Sequence, residues 1–452
     1  MLKKRASAAL ASGFVLLLSL EVASAPAVAA DLVTLYGEAQ LSDPVFQSAR
    51  HSLEAARQKS PEALSALLPA LSATGAEGRT VGRTRYTDTP EIRRGFDTDQ
   101  WALQLSQPVF RADKVFAYSE ARQAVQQAVA QFEAAREDLM LRFSRAYFDV
   151  IVAEKRVIAA RTQVVAFNEQ LQAAQHSFDG GVASITDVDD TRSRAAGARA
   201  QEVGALNDLE SARAALEAII GVPPEKLAAL REGVALPRPV PGDVSSWIDQ
   251  ARADNPNVRA AEAVAKAADY DLDRSRSQHL PAVDLVVSYG GNYSGGNITE
   301  PINYDTVVRD KQISLQVTVP LLDGGGMHAQ IAEARAQRAK ALADLTTAQR
   351  QAVLDARQSF AAALSGAAQV EALETAVSSG QRAVKGNQVG YSLGIRINSD
   401  VLNAEQQLHS AMQDLDKARY DTLYAGLKLK AATGQLSEDD LRGINALLET
   451  SL

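Results

Sequence analysis

The stretch Gly390-Tyr391-Ser392-Leu393-Gly394-Ile395-Arg396-Ile397-Asn398-Ser399-Asp400-Val401-Leu402-Asn403 decides the fold. Gly390 and Gly394 interrupt an otherwise long helical pattern. Glycine has no Cβ, costs about 1 kcal/mol in a helix interior and suits the turn between two helices. Asn398 or Ser399 can cap the helix that resumes with Val401, Leu402, Ala404 and Leu408. The stretch predicts a helical-hairpin tip carrying a tyrosine, an arginine and a carboxylate. An earlier stretch matches it: Phe178-Asp179-Gly180-Gly181-Val182-Ala183-Ser184-Ile185-Thr186-Asp187-Val188. Phe178 answers Tyr391 (391 − 178 = 213) and Asp187 answers Asp400 (400 − 187 = 213). Gly180 and Gly181 supply the earlier turn. Two matched tips imply a duplicated chain.

Working outward, the landmarks keep this offset. Asp43-Pro44 answers Asn255-Pro256 (256 − 44 = 212), and Leu68-Pro69 answers Leu280-Pro281 (281 − 69 = 212). Pro108 answers Pro320 (320 − 108 = 212), and Gly221 answers Gly434 (434 − 221 = 213). The extra residue falls near Gly324-Gly325-Gly326. Such a period is far longer than the roughly 20 to 50 residues of solenoid repeats, so one large unit was doubled. The organisation is 31–221 for the first repeat, 222–242 for a proline-rich linker crossing the outside, 243–434 for the second repeat, and 435–452 for a C-terminal segment with a short capped helix.

Each repeat opens with short helices. The second of them starts at Asp-Pro or Asn-Pro, a cap followed by proline at the first helical position, and ends at Leu-Pro. Two segments of period two come next, at about 70–85 and 99–109, then at about 282–293 and 311–321. Trp101, Leu103 and Leu105, like Ile313, Leu315 and Val317, line one apolar face against polar alternates. Strands of this kind span a membrane only in a closed barrel, and the smallest such barrels have about eight strands. Four strands flanked by long helices have no second sheet to pack on, so closure requires several chains. Three would give twelve strands. The polar segments between the strands, 87–97 and 294–310, suit surface loops.

From Ala112 to about Ser177 no proline interrupts the pattern. As one helix it would extend about 100 Å at ~1.5 Å per residue. Its apolar positions follow a heptad through Phe143, Val150, Val157, Val164, Leu171 and Phe178, with a parallel line through Leu139, Ala146, Ala153, Ala160, Phe167 and Ala174. A seven-residue repeat predicts left-handed coiling. The second repeat keeps the register at Val370, Val377, Val384 and Tyr391. Returning helices are expected over about 186–220 and 399–433.

Composition agrees. The chain has 452 residues, no cysteine, five histidines and a formal charge of −8. Mild acidity argues against nucleic-acid binding, and the lack of cysteine excludes disulfides and thiolate metal sites. Residues 1–30 read as a secretory signal peptide: Lys3, Lys4 and Arg5, a short apolar run around Phe14 to Leu20, then small residues before Asp31. No later run reaches the ~18 apolar residues of a spanning helix. His51, His176, His279, His328 and His409 are scattered and none has metal-ligand spacing. Asp323-Gly324-Gly325-Gly326 lacks the Lys-Ser/Thr end of a phosphate loop. The sequence shows no catalytic residues, metal site or cofactor motif.

These residues resemble the TolC family of outer-membrane export channels, most specifically at 390–403, 182–188, 107–110 and 431–441. The resemblance implies a mainly α chain with a small β part, assembled as a homotrimer. Its twelve-stranded outer-membrane barrel would continue as a twelve-helix periplasmic coiled-coil tunnel. The implied function is passive conduction from an inner-membrane ABC or RND-type transporter, through a periplasmic adaptor, to the exterior. The implied gate joins Tyr391 to Asp187 and Arg396 to Thr186. Asp400 matches the constriction carboxylate, while Asn403 stands where the family has a second acidic ring. Two other readings compete: a soluble coiled-coil adaptor and a structural trimer of the cell envelope. Membrane fractionation separates the first and single-channel conductance the second.

Overall fold

The computed structural model describes residues 31–449 apart from 183, 225, 232 and 301; the signal-peptide assignment lies outside the described residues. In chain order the elements are α1 (Leu32–Ser42), α2 (Pro44–Ser65), β1 (Ala70–Thr84), β2 (Ile92–Phe110), α3 (Ala112–Asp179) and α4 (Ile185–Ile220). The second repeat follows as α5 (Val244–Asp254), α6 (Pro256–Ser277), β3 (Ala282–Ser294), β4 (Thr306–Thr318), α7 (Gly326–Ser392) and α8 (Asn398–Ala432), before α9 (Glu438–Asn445). The chain is mainly helical with one small antiparallel sheet. Among the described residues no helix is long and apolar enough to cross a membrane.

The duplication is visible in the backbone. The left-handed glycines Gly181 and Gly394 end α3 and α7, and Gly221 and Gly434 follow α4 and α8, at 394 − 181 = 213 and 434 − 221 = 213. Asp43 and Asn255 both cap the helix beginning at the next residue, a proline.

The sheet has the order β1-β2-β3-β4, antiparallel throughout, with one free edge on β1 and one on β4. Its register aligns Leu71 with Leu105, Leu105 with Val287, and Val287 with Ile313. Successive side chains alternate faces, so these residues share one face with Trp101, Leu103, Leu285, Leu315 and Val317. Trp101 lies opposite Gly291 and packs edge-on against Tyr289 at 5.1 Å. Gly291 is required there, because a Cβ would come within 2.7 Å of the indole nitrogen. The alternate face carries Gln104, Ser106, Ser288, Gln312, Ser314 and Gln316.

Two strands differ from the sequence expectation. β2 starts at Ile92 and β4 at Thr306, inside segments that looked like loops. Arg79 pairs across the ladder with Asp97, and Gly290 with Asp310, so the ladder continues through polar residues. At its other end β4 stops at Thr318, short of Pro320, which has no N–H to donate.

The helical core contains the expected heptad lines: Leu139, Phe143, Val150, Ala153, Val157, Ala160, Phe167 and Ala174 are buried. Phe178, at the end of its line, is exposed. The linker departs from its expected course. Leu227, Ala228 and Leu230 are core residues that pack with α1, α3, α4, α8 and α9. Tyr147 of α3 donates to the carbonyl of Ala228 at 2.9 Å, and the N–H of Leu230 donates to Tyr420 of α8 at 2.9 Å. Leu230 also pairs antiparallel with Leu448. Residues 227–231 and the C-terminal segment thus form a belt that fastens α3 to α8. The prolines at 223, 224, 237, 239 and 241 flank this apolar stretch and leave it free to pack inward.

Candidate functional site

The distal ends of the hairpins α3/α4 and α7/α8 carry most of the residues that the sequence singles out. In the first tip, Val182 N–H donates to Ser177 O at 2.9 Å around Gly181, which has φ +76°. Ser184 caps α4: its hydroxyl accepts from the Thr186 N–H at 3.2 Å, and the Asp187 carboxylate accepts from the Ser184 N–H at 3.2 Å. This reciprocal box satisfies two donors of the first turn and occupies Asp187 within its own tip. Thr186 Oγ1 lies 2.7 Å from Ser184 Oγ.

In the second tip the turn is built on Gly394 (φ +73°) and closed by the Ile395 N–H to Gly390 O at 2.9 Å. Gly390 does not form the turn itself, because it lies in the last turn of α7. Its role is clearance: a Cβ there would meet Arg396 Cγ at 2.7 Å. Similarly, Gly180 keeps right-handed helical backbone and the left-handed residue is Gly181. Neither Asn398 nor Ser399 occupies the cap position of α8. Ile397 does, without a side-chain cap.

Arg396 is exposed and reaches Asp400 at 3.6 Å, one turn along the same tip. Asn403 is exposed on the next turn. Among the described residues, the hydroxyl of Tyr391 meets no polar partner within the protomer. The pairs Tyr391–Asp187 and Arg396–Thr186 are therefore not made inside one chain. The tips also expose apolar side chains that were not among the candidate site residues: Val182, Ile185, Val389, Leu393, Ile395 and Ile397. The alternation of Leu393, Ile395 and Ile397 beyond a helix end was the available signal. An apolar cluster in water marks a surface that meets another surface. Among the described residues no group of three or more metal-ligating side chains converges.

A duplicated pair of long helical hairpins, continued by a sheet with one apolar face, defines an envelope protein with a membrane part and an extended helical part. The family described as OEP, Outer membrane efflux protein, matches residues 35–222 and 247–435, one match per repeat (247 − 35 = 212; 435 − 222 = 213). The chain belongs to this family: it is an outer-membrane protein of an export-channel family, not of an enzyme family. It is 32% identical over 428 residues to the alkaline protease secretion protein AprF of Pseudomonas aeruginosa, covering 93% of this chain and 88% of that protein. It is 30% identical over 438 residues to the outer membrane protein TolC of Escherichia coli, covering 95% and 87%. Among solved structures, the CmeC outer membrane channel of Campylobacter jejuni matches with a TM-score of 0.78 at 17% identity, over 92% of this chain and 89% of that one.

Proposed function

We propose that three copies of this chain close a barrel of 3 × 4 = 12 strands from the four-stranded sheet and continue it as a tunnel of twelve paired helices. The tunnel passively conducts substrates from an inner-membrane ABC or RND-type transporter, joined by a periplasmic adaptor, to the cell exterior. One observation carries this reading: an open sheet with two free edges and one continuous apolar face. Unpaired strand edges are unacceptable in hydrocarbon, so a lipid-facing sheet must close, and four strands are too few. Trp101, Leu103, Leu105, Ile313, Leu315 and Val317 then face lipid, and the polar alternates face water.

The periplasmic gate is assigned to the tips. Tyr391 with Asp187, and Arg396 with Thr186, meet where neighbouring hairpins converge in the trimer, and the exposed apolar tip residues bring those surfaces together. Asp400 and Asn403 line the constriction. Three Asp400 carboxylates around one axis attract cations, and Asn403 narrows the opening without adding charge. Type I secretion and drug efflux both fit such a duct, and the relative named for protease secretion supports protein export as one use.

Purified protein in a planar bilayer tests this. Small, definite channels whose conductance rises in a Tyr391→Phe, Arg396→Ser double variant are expected. Protein that inserts and trimerises yet gives no channel would instead be a structural outer-membrane trimer.

A further inference from the structure

A carboxylate between the two hairpins has no part in the gate described above. Glu405 lies on α8, five residues beyond Asp400, and is buried, with 9% exposure. Its Oε2 accepts from Gln170 Nε2 of α3 at 2.7 Å, and its Oε1 accepts from Gln388 Nε2 of α7 at 3.2 Å. One side chain thus connects the first hairpin to both helices of the second. An ionised carboxylate is an acceptor-only group with two oxygens, so it can take one amide donor from each side. The Gln170 carbonyl oxygen is buried without a partner among the described residues, so Glu405 alone orients that amide.

The surroundings place this contact at a joint. One turn nearer the tip, Leu402 is fully buried against Phe167, Ala195 and Ala198, so α8 plugs into the groove between α3 and α4. Other polar ties between the hairpins, Lys155 with Asp416 at 2.9 Å and Arg145 with Asp421 at 2.7 Å, lie farther from the tips and near the belt. From Gln170 to Lys155 is 170 − 155 = 15 residues, or about 22 Å of helix at ~1.5 Å per residue. Between the two levels sits an open polar cleft of about 320 Å³, floored by Ala160, Gly204 and Ala205 and faced by His409 and Gln413 of α8. The hairpins are thus held at the belt, separated across the cleft, and held again at Leu402 and Glu405.

We propose that Glu405 is a positioning residue of the gate: with Gln170 and Gln388 it fixes the spacing of the two hairpins, and α8 swings from the belt when this tie releases. The inference rests on the export-channel reading only for its consequence, since the tie itself is a property of the protomer.

The chain has no native cysteine, so spin labels can be placed cleanly. Labels at Ala173→Cys on α3 and Gln407→Cys on α8, both exposed, report hairpin spacing by pulsed dipolar spectroscopy in trimers diluted with unlabelled chain. Glu405→Ala and Gln170→Ala are each expected to lengthen and broaden that distance and to make open-channel events on the order of tenfold more frequent, equivalent to ~1.4 kcal/mol. The double variant should exceed Glu405→Ala by little, because both remove the same contact. Glu405→Gln keeps the shape and can donate to the free Gln170 oxygen, so it should stay near the parent distance and controls for folding. An unchanged distance in Glu405→Ala, or fully additive single effects, overturns the proposal. A lengthened distance in protein whose parent conducts no current supports the tie and removes the export reading instead.

Discussion

Arg396 sits 3.6 Å from Asp400, one turn along its own tip, while Asp187 is closed into a box with Ser184 on the other tip. Each charged group of the assigned gate is therefore partly satisfied before any second chain arrives. The pairs are exposed, so each contributes little on its own. This suits a gate that a partner must be able to open. It also gives Arg396 a second effect, since it partly neutralises the carboxylate that would attract cations to the axis.

Two variants separate these roles. Asp400→Asn should weaken divalent-cation block of the channel, because it removes the only carboxylate of the assigned constriction. Arg396→Ser should widen the entrance yet strengthen that block, since it exposes Asp400. Conductance with and without millimolar divalent cation measures both, and a weaker block in Arg396→Ser would detach Arg396 from Asp400.

The two glycines of the second tip should fail differently. Gly394→Ala places an L residue at φ +73° and should cost about 1 kcal/mol of tip stability. Gly390→Ala keeps helical backbone but drives a methyl into Arg396 Cγ, so Arg396 must move away from Asp400. Gly390→Ala should therefore copy the conductance of Arg396→Ser with little loss of thermal stability. A normal conductance would show that Arg396 rearranges freely.

The belt should respond to removal of either buried tyrosine hydroxyl. Tyr147→Phe leaves the Ala228 carbonyl unpaired, and Tyr420→Phe leaves the Leu230 N–H unpaired. Each should cost about 1–3 kcal/mol, the range for stranding one buried group. Burial raises the pKa of both phenols well above the usual tyrosine value, so the hydroxyls stay protonated throughout the working range. Melting temperatures of the detergent-solubilised protein, together with protease sensitivity of the linker, would register the loss.

Much of this architecture is legible in the sequence because duplication writes each signal twice. The offset of 212 or 213 locates tips, strands and caps in the residue order alone, and the heptads identify the buried face of α3. What escapes is local or distant. Asn398, Ser399 and Ile397 are neighbours, and propensity alone assigns the cap of α8 to the wrong one. Ile92 to Asp97 read as loop residues because a polar, charged run does not mark a strand until its partner strand is known. Leu227 to Leu230 lie among prolines, and only the fold shows that α3 and α8 leave space for them. Glu405 and Gln170 are 405 − 170 = 235 residues apart, and no spacing rule connects them.

Glu137 yields a pH prediction. It is a buried carboxyl on α3, beside the C-terminal segment at Leu436. Burial raises its pKa from 4.5 to about 8; Arg136 and the Leu436 backbone N–H partly oppose this, and Glu133 adds to it. A carboxyl whose pKa is higher in the folded chain than in the unfolded one favours folding while it holds its proton in both states. That contribution is complete below about pH 4.5 and is lost as pH rises through about 8. The protein should therefore melt at a lower temperature at pH 8.5 than at pH 5, and the fall should lie between those values. Glu137→Gln keeps the shape and cannot ionise, so it should match the parent at pH 5 and melt higher by at least ~2 °C at pH 8.5. Thermal melts across this range in one buffer series would test the assignment. A parent and variant that lose stability in parallel would show that another group carries the pH dependence.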